Sequence, residues 1–179
     1  MSDWQPVIEF WRNAGMKKWF TRDDAFDAEL AAKFLDLNEA AARGEHDGWA
    51  NDAHACLALV LVLDQFSRNL FRGSAKAFSR DAKALQLARH AQARGFPAAI
   101  DGDLRFFYHM PFMHSESIAD QLESLRLQYS EVGCEGISHA REHYDIIARF
   151  GRFPHRNGVL GRHTTPAEQA YLDGGGFKG

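Results

Sequence analysis

Cysteine is nearly absent from this chain. Only two occur in 179 residues, Cys56 and Cys134, and their spacing builds neither a disulfide framework nor a zinc site. Cys56 falls in the apolar run HACLALVLVL and reads as a small buried hydrophobe, while Cys134, in EVGCEG, reads as a loop residue. Long hydrophobic runs are missing too. The longest, Leu57 to Leu63, is far short of the ~20 residues a membrane helix requires, so no membrane partner is expected. No stretch alternates apolar and polar residues over six positions, which excludes a recognisable strand. Net positive charge is absent as well: at −3 overall, no global field recruits nucleic acid. The opening MSDWQPVIEFW lacks the basic-then-apolar order of a signal peptide, so a reducing cytoplasm is the expected location. The last absence is local. From Ile146 through Ala167 there is no acidic residue.

What is present is helical periodicity. Phe26, Leu30, Phe34 and Leu37 recur at three and four residues, and Gly44 supplies a stop. Asp52 to Phe71 reads as a second long helix. After Gly73, SAKAFSRDAKALQLARHAQARG has high helix propensity and ends at Gly95 and Pro97. Asp103 to Met110 predicts another helix, broken near Pro111. Ser117 with Asp120 resembles a capping box that starts the next, and HAREHYDIIARFG stops at Gly151. Thr165-Pro166-Ala167-Glu168 is a stronger capping box, and it predicts a final helix through Tyr171 and Leu172. The terminal GGGFKG is expected to be loose. The expectation is one all-α domain over residues 1–179 with about seven or eight helices; its length suffices for a real core.

Three stretches carry candidate chemistry. In LVLDQFSRNLFRG, helical spacing places Asp64, Arg68 and Arg72 on one face, with Gln65 and Asn69 beside them. An intrahelical Asp64–Arg68 pair with a solvated Arg72 is the plain alternative. In FFYHMPFMHSESIADQ, His109 and His114 are five apart with Glu116 after them. That spacing fits no standard metal frame, so no metal and no cofactor are expected. His114-Ser115-Glu116 still places an imidazole, a hydroxyl and a carboxylate close together. The third stretch, RFGRFPHRNGVLGRH, falls within the acid-free span. Arg149, Arg152, Arg156 and Arg162 are planar forks suited to carboxylate or phosphate. His155 and Asn157 lie among them, and Phe150 and Phe153 pull the segment inward. Charge drawn towards a core must be answered, either by acids such as Asp64, Asp81, Glu116 and Asp120 or by a bound anion.

LDQFSRN, PFMHSE and RFGRFPHRNGVLGR, with EFW near the start and the tryptophans Trp11 and Trp49, resemble the signature blocks of the bacterial DUF924 family. The resemblance runs over nearly the whole chain. It implies a tetratricopeptide-like stack of antiparallel helix pairs. It supplies no activity, cofactor or catalytic residue. The usual tetratricopeptide consensus at a 34-residue period is absent here, so peptide binding does not follow from the architecture.

Three functions therefore compete. In the first, a concave polar pocket binds a small anionic molecule through Asp64, Gln65, Arg68, Asn69, Arg72, His109, Arg149, Arg152, Arg156, Asn157 and Arg162. His114, Glu116 and His155 would supply acid–base chemistry if a reaction occurs. In the second, the same arginines recognise an acidic peptide or a C-terminal carboxylate. In the third, the arginines are neutralised internally and only hold the fold. Whether the chain is an enzyme, and its oligomeric state, stay open at this stage.

Overall fold

Capping residues and glycines set several of the helix boundaries. The computed structural model describes residues 3–133 and 137–178, which contain helices and no strand. Cys134 lies outside the described residues. Among them nine α-helices follow in order: α1 (Gln5–Trp19), α2 (Asp24–Arg43), α3 (Ala53–Val60), α4 (Ser67–Leu70), α5 (Asp81–Ala93), α6 (Met110–Met113), α7 (Ile118–Val132), α8 (Ser138–Phe150) and α9 (Pro166–Asp173). Two of these, α4 and α6, are four-residue turns. The remaining seven fall within the expected seven or eight, although the expected Asp103–Met110 helix is not among them and α1 is. The chain divides into two compact units. The first holds Lys76–Pro111 and everything described before Gly73; the second holds Gly73–Ala75 and everything described from Phe112 onward.

In the first unit, Asp23 caps α2 by accepting from the backbone N–H groups of Ala25 and Phe26, each at 3.0 Å. Gly44 ends the helix at φ +93°, a left-handed conformation that glycine adopts without a Cβ penalty. Phe26, Leu30 and Phe34 are buried, as the stripe predicts. Every residue from Ala55 to Leu63 is buried, so α3 is apolar all round and runs through the core.

The long helix expected over 52–71 contains a wide π turn, Leu61–Phe66, between α3 and α4. Such a turn shifts carbonyls out of the regular ladder. Asn38, fully buried on α2, donates from Nδ2 to the Val62 carbonyl at 2.6 Å and to Ser67 Oγ at 3.0 Å. A polar side chain on the apolar face of α2 thus serves the irregular backbone of its neighbour.

Two expected helices are shorter or tighter. The segment after Gly73 begins as a 3-10 turn, Ala75–Phe78, and only becomes α5 at Asp81. Ser79 Oγ donates to the Lys76 carbonyl at 2.8 Å, and Arg80 is drawn inward to Glu39 of α2 at 2.9 Å. Gly102–Tyr108 is 3-10 rather than α. Its start is tied down by Arg105, which donates twice to the Ile100 carbonyl, and its end by Tyr108, whose hydroxyl donates to the Ala53 carbonyl at 2.5 Å.

In the second unit, α7 and α8 pack together. Ile146, Ile147 and Phe153 form a buried cluster, against which Phe150, Tyr171 and Phe177 pack. The expected Ser117–Asp120 capping contact is displaced by two residues. Ser117 makes no side-chain cap; Ser115 Oγ donates to Asp120 at 2.7 Å instead and accepts from the Ser117 N–H at 3.2 Å. The Thr165–Glu168 capping box is present in both directions, at 3.3 and 2.7 Å. The Gly174–Lys178 segment, expected to be loose, folds back so that Phe177 joins the apolar cluster.

Candidate functional site

Asp64, Gln65, Arg68, Asn69, Arg72 and His109 belong to the first unit. Asp64 sits on the π turn and is 1% exposed. Its carboxylate accepts from Gln65 Nε2 at 2.6 Å and meets Arg68 at 3.1 Å. Arg68 also donates to the Asp64 carbonyl at 2.6 Å and to Asp81 at 3.1 Å. Burial opposes the charge on Arg68, but the two carboxylates outweigh it and hold the guanidinium charged. Arg72 is exposed, yet it is not simply solvated: it makes two bonds to Asp27 of α2, at 2.9 and 3.2 Å, and Asn69 joins the same carboxylate at 2.7 Å. Here the arginines predicted to bind a ligand already hold carboxylates. His109 is buried against the Phe106 ring.

His114, Glu116, Arg149, Arg152, His155, Arg156, Asn157 and Arg162 belong to the second unit. Glu116 bridges two parts of it. Its carboxylate accepts from Arg162 at 2.7 and 3.0 Å and from the Phe153 N–H at 2.8 Å. Arg162 donates further to Asn157 Oδ1 at 3.0 Å and to the Phe153 carbonyl at 3.1 Å. Burial raises the Glu116 pKa, but Arg162, the Phe153 N–H and the nearby charge of Arg156 prevail and hold it below the ordinary glutamate range. Arg152 grips Glu168 with two parallel bonds, at 2.6 and 2.8 Å, and donates to the His163 carbonyl at 2.8 Å. The glutamate of the α9 capping box is therefore also an ion-pair partner. Its carboxyl is held far below the usual range, first by Arg152 and then by Thr165.

Arg156 is buried and lies 4.5 Å over the Phe153 ring. His114 is buried, with its ring 6.5 Å from that of His143. His155 is one of the three expected acid–base groups, with His114 and Glu116. Burial first, then the charge of Arg156 and the neighbouring His143, push its pKa down to about 3, so the imidazole is neutral throughout the neutral range. Glu116 is likewise committed to an ion pair rather than poised to exchange protons.

Arg149 differs from the rest of the set. It lies on the exposed face of α8, 4.7 Å over the Phe150 ring and 5.8 Å from that of Tyr171, and among the described residues it pairs with no carboxylate. A groove of about 620 Å³ opens here, lined by Arg141, Glu142, Asp145, Arg149, Phe150 and Tyr171 among others. Sequence reasoning missed Tyr171 as a wall. Its helix was readable from the capping box, but the packing of α9 on α8 leaves no local signal. A second groove, of about 610 Å³, lies in the first unit between α1 and α2. Its floor is Phe10, Phe26 and Phe34, with Lys18 and Lys33 standing over two of the rings, and no predicted site residue lines it. Among the described residues, no group of three or more histidine, cysteine or acidic side chains is placed to hold a metal ion, and no helix is long and apolar enough to cross a membrane.

Fold and site together define an all-helical protein whose arginines mostly clamp its own carboxylates, with open grooves floored by aromatic rings. Residues 7–176 match the model of a family described as bacterial protein of unknown function, DUF924. The chain belongs to that family. It is also similar to a solved structure of a protein of unknown function from Agrobacterium tumefaciens, with 47% identity, coverage of 96% of this chain and 97% of that one, and a TM-score of 0.91. No curated protein matches.

Proposed function

We propose that the protein binds a small anionic molecule, a carboxylate or phosphate compound, in the groove at Arg149. The observation that supports this reading is the contrast within one segment. Arg152 and Arg162 are held by Glu168 and Glu116, whereas Arg149 lies over two aromatic rings and, among the described residues, pairs with no carboxylate. A guanidinium laid on rings keeps its edge N–H groups free to grip an anion bidentately. The groove's size suits a small molecule, and its Phe150 and Tyr171 walls favour one with a flat apolar body. Binding, not acid–base catalysis, is the activity proposed. The reading includes a cytoplasmic location, consistent with the free buried thiol of Cys56, and a tetratricopeptide-like stacking of helices.

A second reading, recognition of an acidic peptide, is favoured by one feature. Groove residues recur along α8 from Ser138 to Phe150, roughly 18 Å at the helical rise, which is long for a compact ligand. The two readings are separated by a thermal-shift screen with phosphate, benzoate, citrate and an acidic hexapeptide. At a hundredfold excess over Kd a bound ligand stabilises by about 2.7 kcal/mol. Small anions should raise the Tm of the wild type and leave that of Arg149→Ala unchanged. A response to the hexapeptide alone selects the second reading. A response that survives Arg149→Ala removes both.

A further inference from the structure

We infer that the hollow walled by His143, Phe153 and His155 is a receptor for an aromatic side chain on a glycine-flanked peptide segment, and that Phe177 is its resident occupant. The hollow adjoins the Arg149 groove and shares Tyr171 with it as an anchor, but none of its three walls lines that groove. Phe177 inserts edge-on between two imidazoles, with ring centroids 4.6 Å from His143 and 5.2 Å from His155. Fully buried Phe153 lies 5.5 Å from His143 and 5.6 Å from His155 and completes the hollow. His143 is held in place by a 2.8 Å contact from Nδ1 to the His139 carbonyl. His155 Nδ1 is buried with no hydrogen-bond partner, and a neutral ring there keeps the wall apolar.

The segment GGGFK is shaped to this path. Gly175 has φ +85°, which L side chains rarely adopt. A Cβ on Gly176 would lie 2.5 Å from Cε1 of Tyr171 and 2.6 Å from the Tyr171 carbonyl oxygen. Two bonds then fix the approach: the Gly176 N–H donates to the Tyr171 carbonyl at 3.0 Å, and the Phe177 N–H donates to the Tyr171 hydroxyl at 2.9 Å. Phe177 is the one apolar side chain of the segment, and it remains half-buried, so the hollow is open to solvent on one side. The segment is joined through glycines and held by one half-buried ring and two backbone bonds to Tyr171, few enough contacts for another segment to exchange with it. Its departure would uncover rings that favour another aromatic in its place.

The test uses the full chain with Phe177→Ala and a labelled, acetylated and amidated GGGFK peptide, followed by fluorescence anisotropy. The peptide carries no carboxylate, so its binding does not report on the anion groove. The variant should bind it at least tenfold more tightly than the wild type, whose own Phe177 competes, and a GGGAK peptide should not bind. The His155 ring signal in NMR should titrate higher in the variant than in the wild type and return when peptide is added. His143, Arg156, Glu116 and Arg162 surround that ring and are the same in both proteins. Gly176→Ala, which displaces the segment but keeps the phenylalanine, should also gain peptide binding. No binding to a folded variant, or equal binding of GGGFK and GGGAK, overturns the proposal. So does loss of fold in both variants, because a displaceable occupant is not required for folding.

Discussion

Removal of the Arg162 guanidinium should cost more stability than any exposed ion pair, and the cost should fade in acid. Arg162→Ala deletes two bonds to Glu116, one to Asn157 and one to the Phe153 carbonyl. The two side chains are 23% and 28% exposed. That places the pair between exposed bridges, worth roughly 0–1 kcal/mol, and buried ones, whose breakage costs about 3–5 kcal/mol. An intermediate loss of about 2–3 kcal/mol follows. For a chain of this length it lowers the Tm by about 5–10 °C. Glu116 has a folded pKa below its unfolded value, so its contribution is fully present above the ordinary glutamate pKa, about 4.3, and is lost as pH falls through the lower folded value. Urea unfolding of both proteins from pH 7 to pH 3 measures this. The gap between them should be widest near neutrality and shrink below about pH 4.3. A gap below about 0.5 kcal/mol at pH 7, the range of a surface substitution, would refute the clamp. A gap of equal size at pH 7 and pH 3 would refute its electrostatic origin.

Other outcomes follow from single contacts. Asn38→Leu removes the side-chain donor to the Val62 carbonyl within the π turn and should destabilise by about 2–3 kcal/mol in urea denaturation, with the far-ultraviolet circular dichroism retained. Thr165→Ala removes one half of the α9 capping box and should cost about 1 kcal/mol. Cys56 is fully buried and its thiol is pushed up to about 11, first by burial, so in a Cys134→Ser background it should react with a disulfide reagent only at the rate of unfolding.

Helix positions were legible because their signals are local. The stripe of Phe26, Leu30 and Phe34, the stop at Gly44 and the Thr165–Glu168 box each lie within a few residues, and each forms as read. The π turn was not legible, because its partner Asn38 is 24 residues away from Val62 on another helix. The 3-10 start before α5 was hidden for a similar reason: Arg80 turns in towards Glu39, 41 residues back. In the site, the excess of arginine over acid in the acid-free segment was correctly visible. Asp81 and Glu116 are among the acids the sequence offers as partners, but which arginine each holds is not legible, since Glu116 lies 46 residues from Arg162; the local signal at Glu168 is that of a cap alone. In the tail, three glycines suggest looseness, whereas here Gly176 permits a close approach to Tyr171.

The most direct measurement is a titration of the arginine Nε–H signals in NMR, with benzoate and with phosphate added to the ¹⁵N-labelled protein. The Arg149 signal should move and saturate with at least one of these anions, while those of Arg152 and Arg162, already held by Glu168 and Glu116, stay in place. Movement confined to Arg152 or Arg162, or no movement of Arg149 with either anion, would contradict the account.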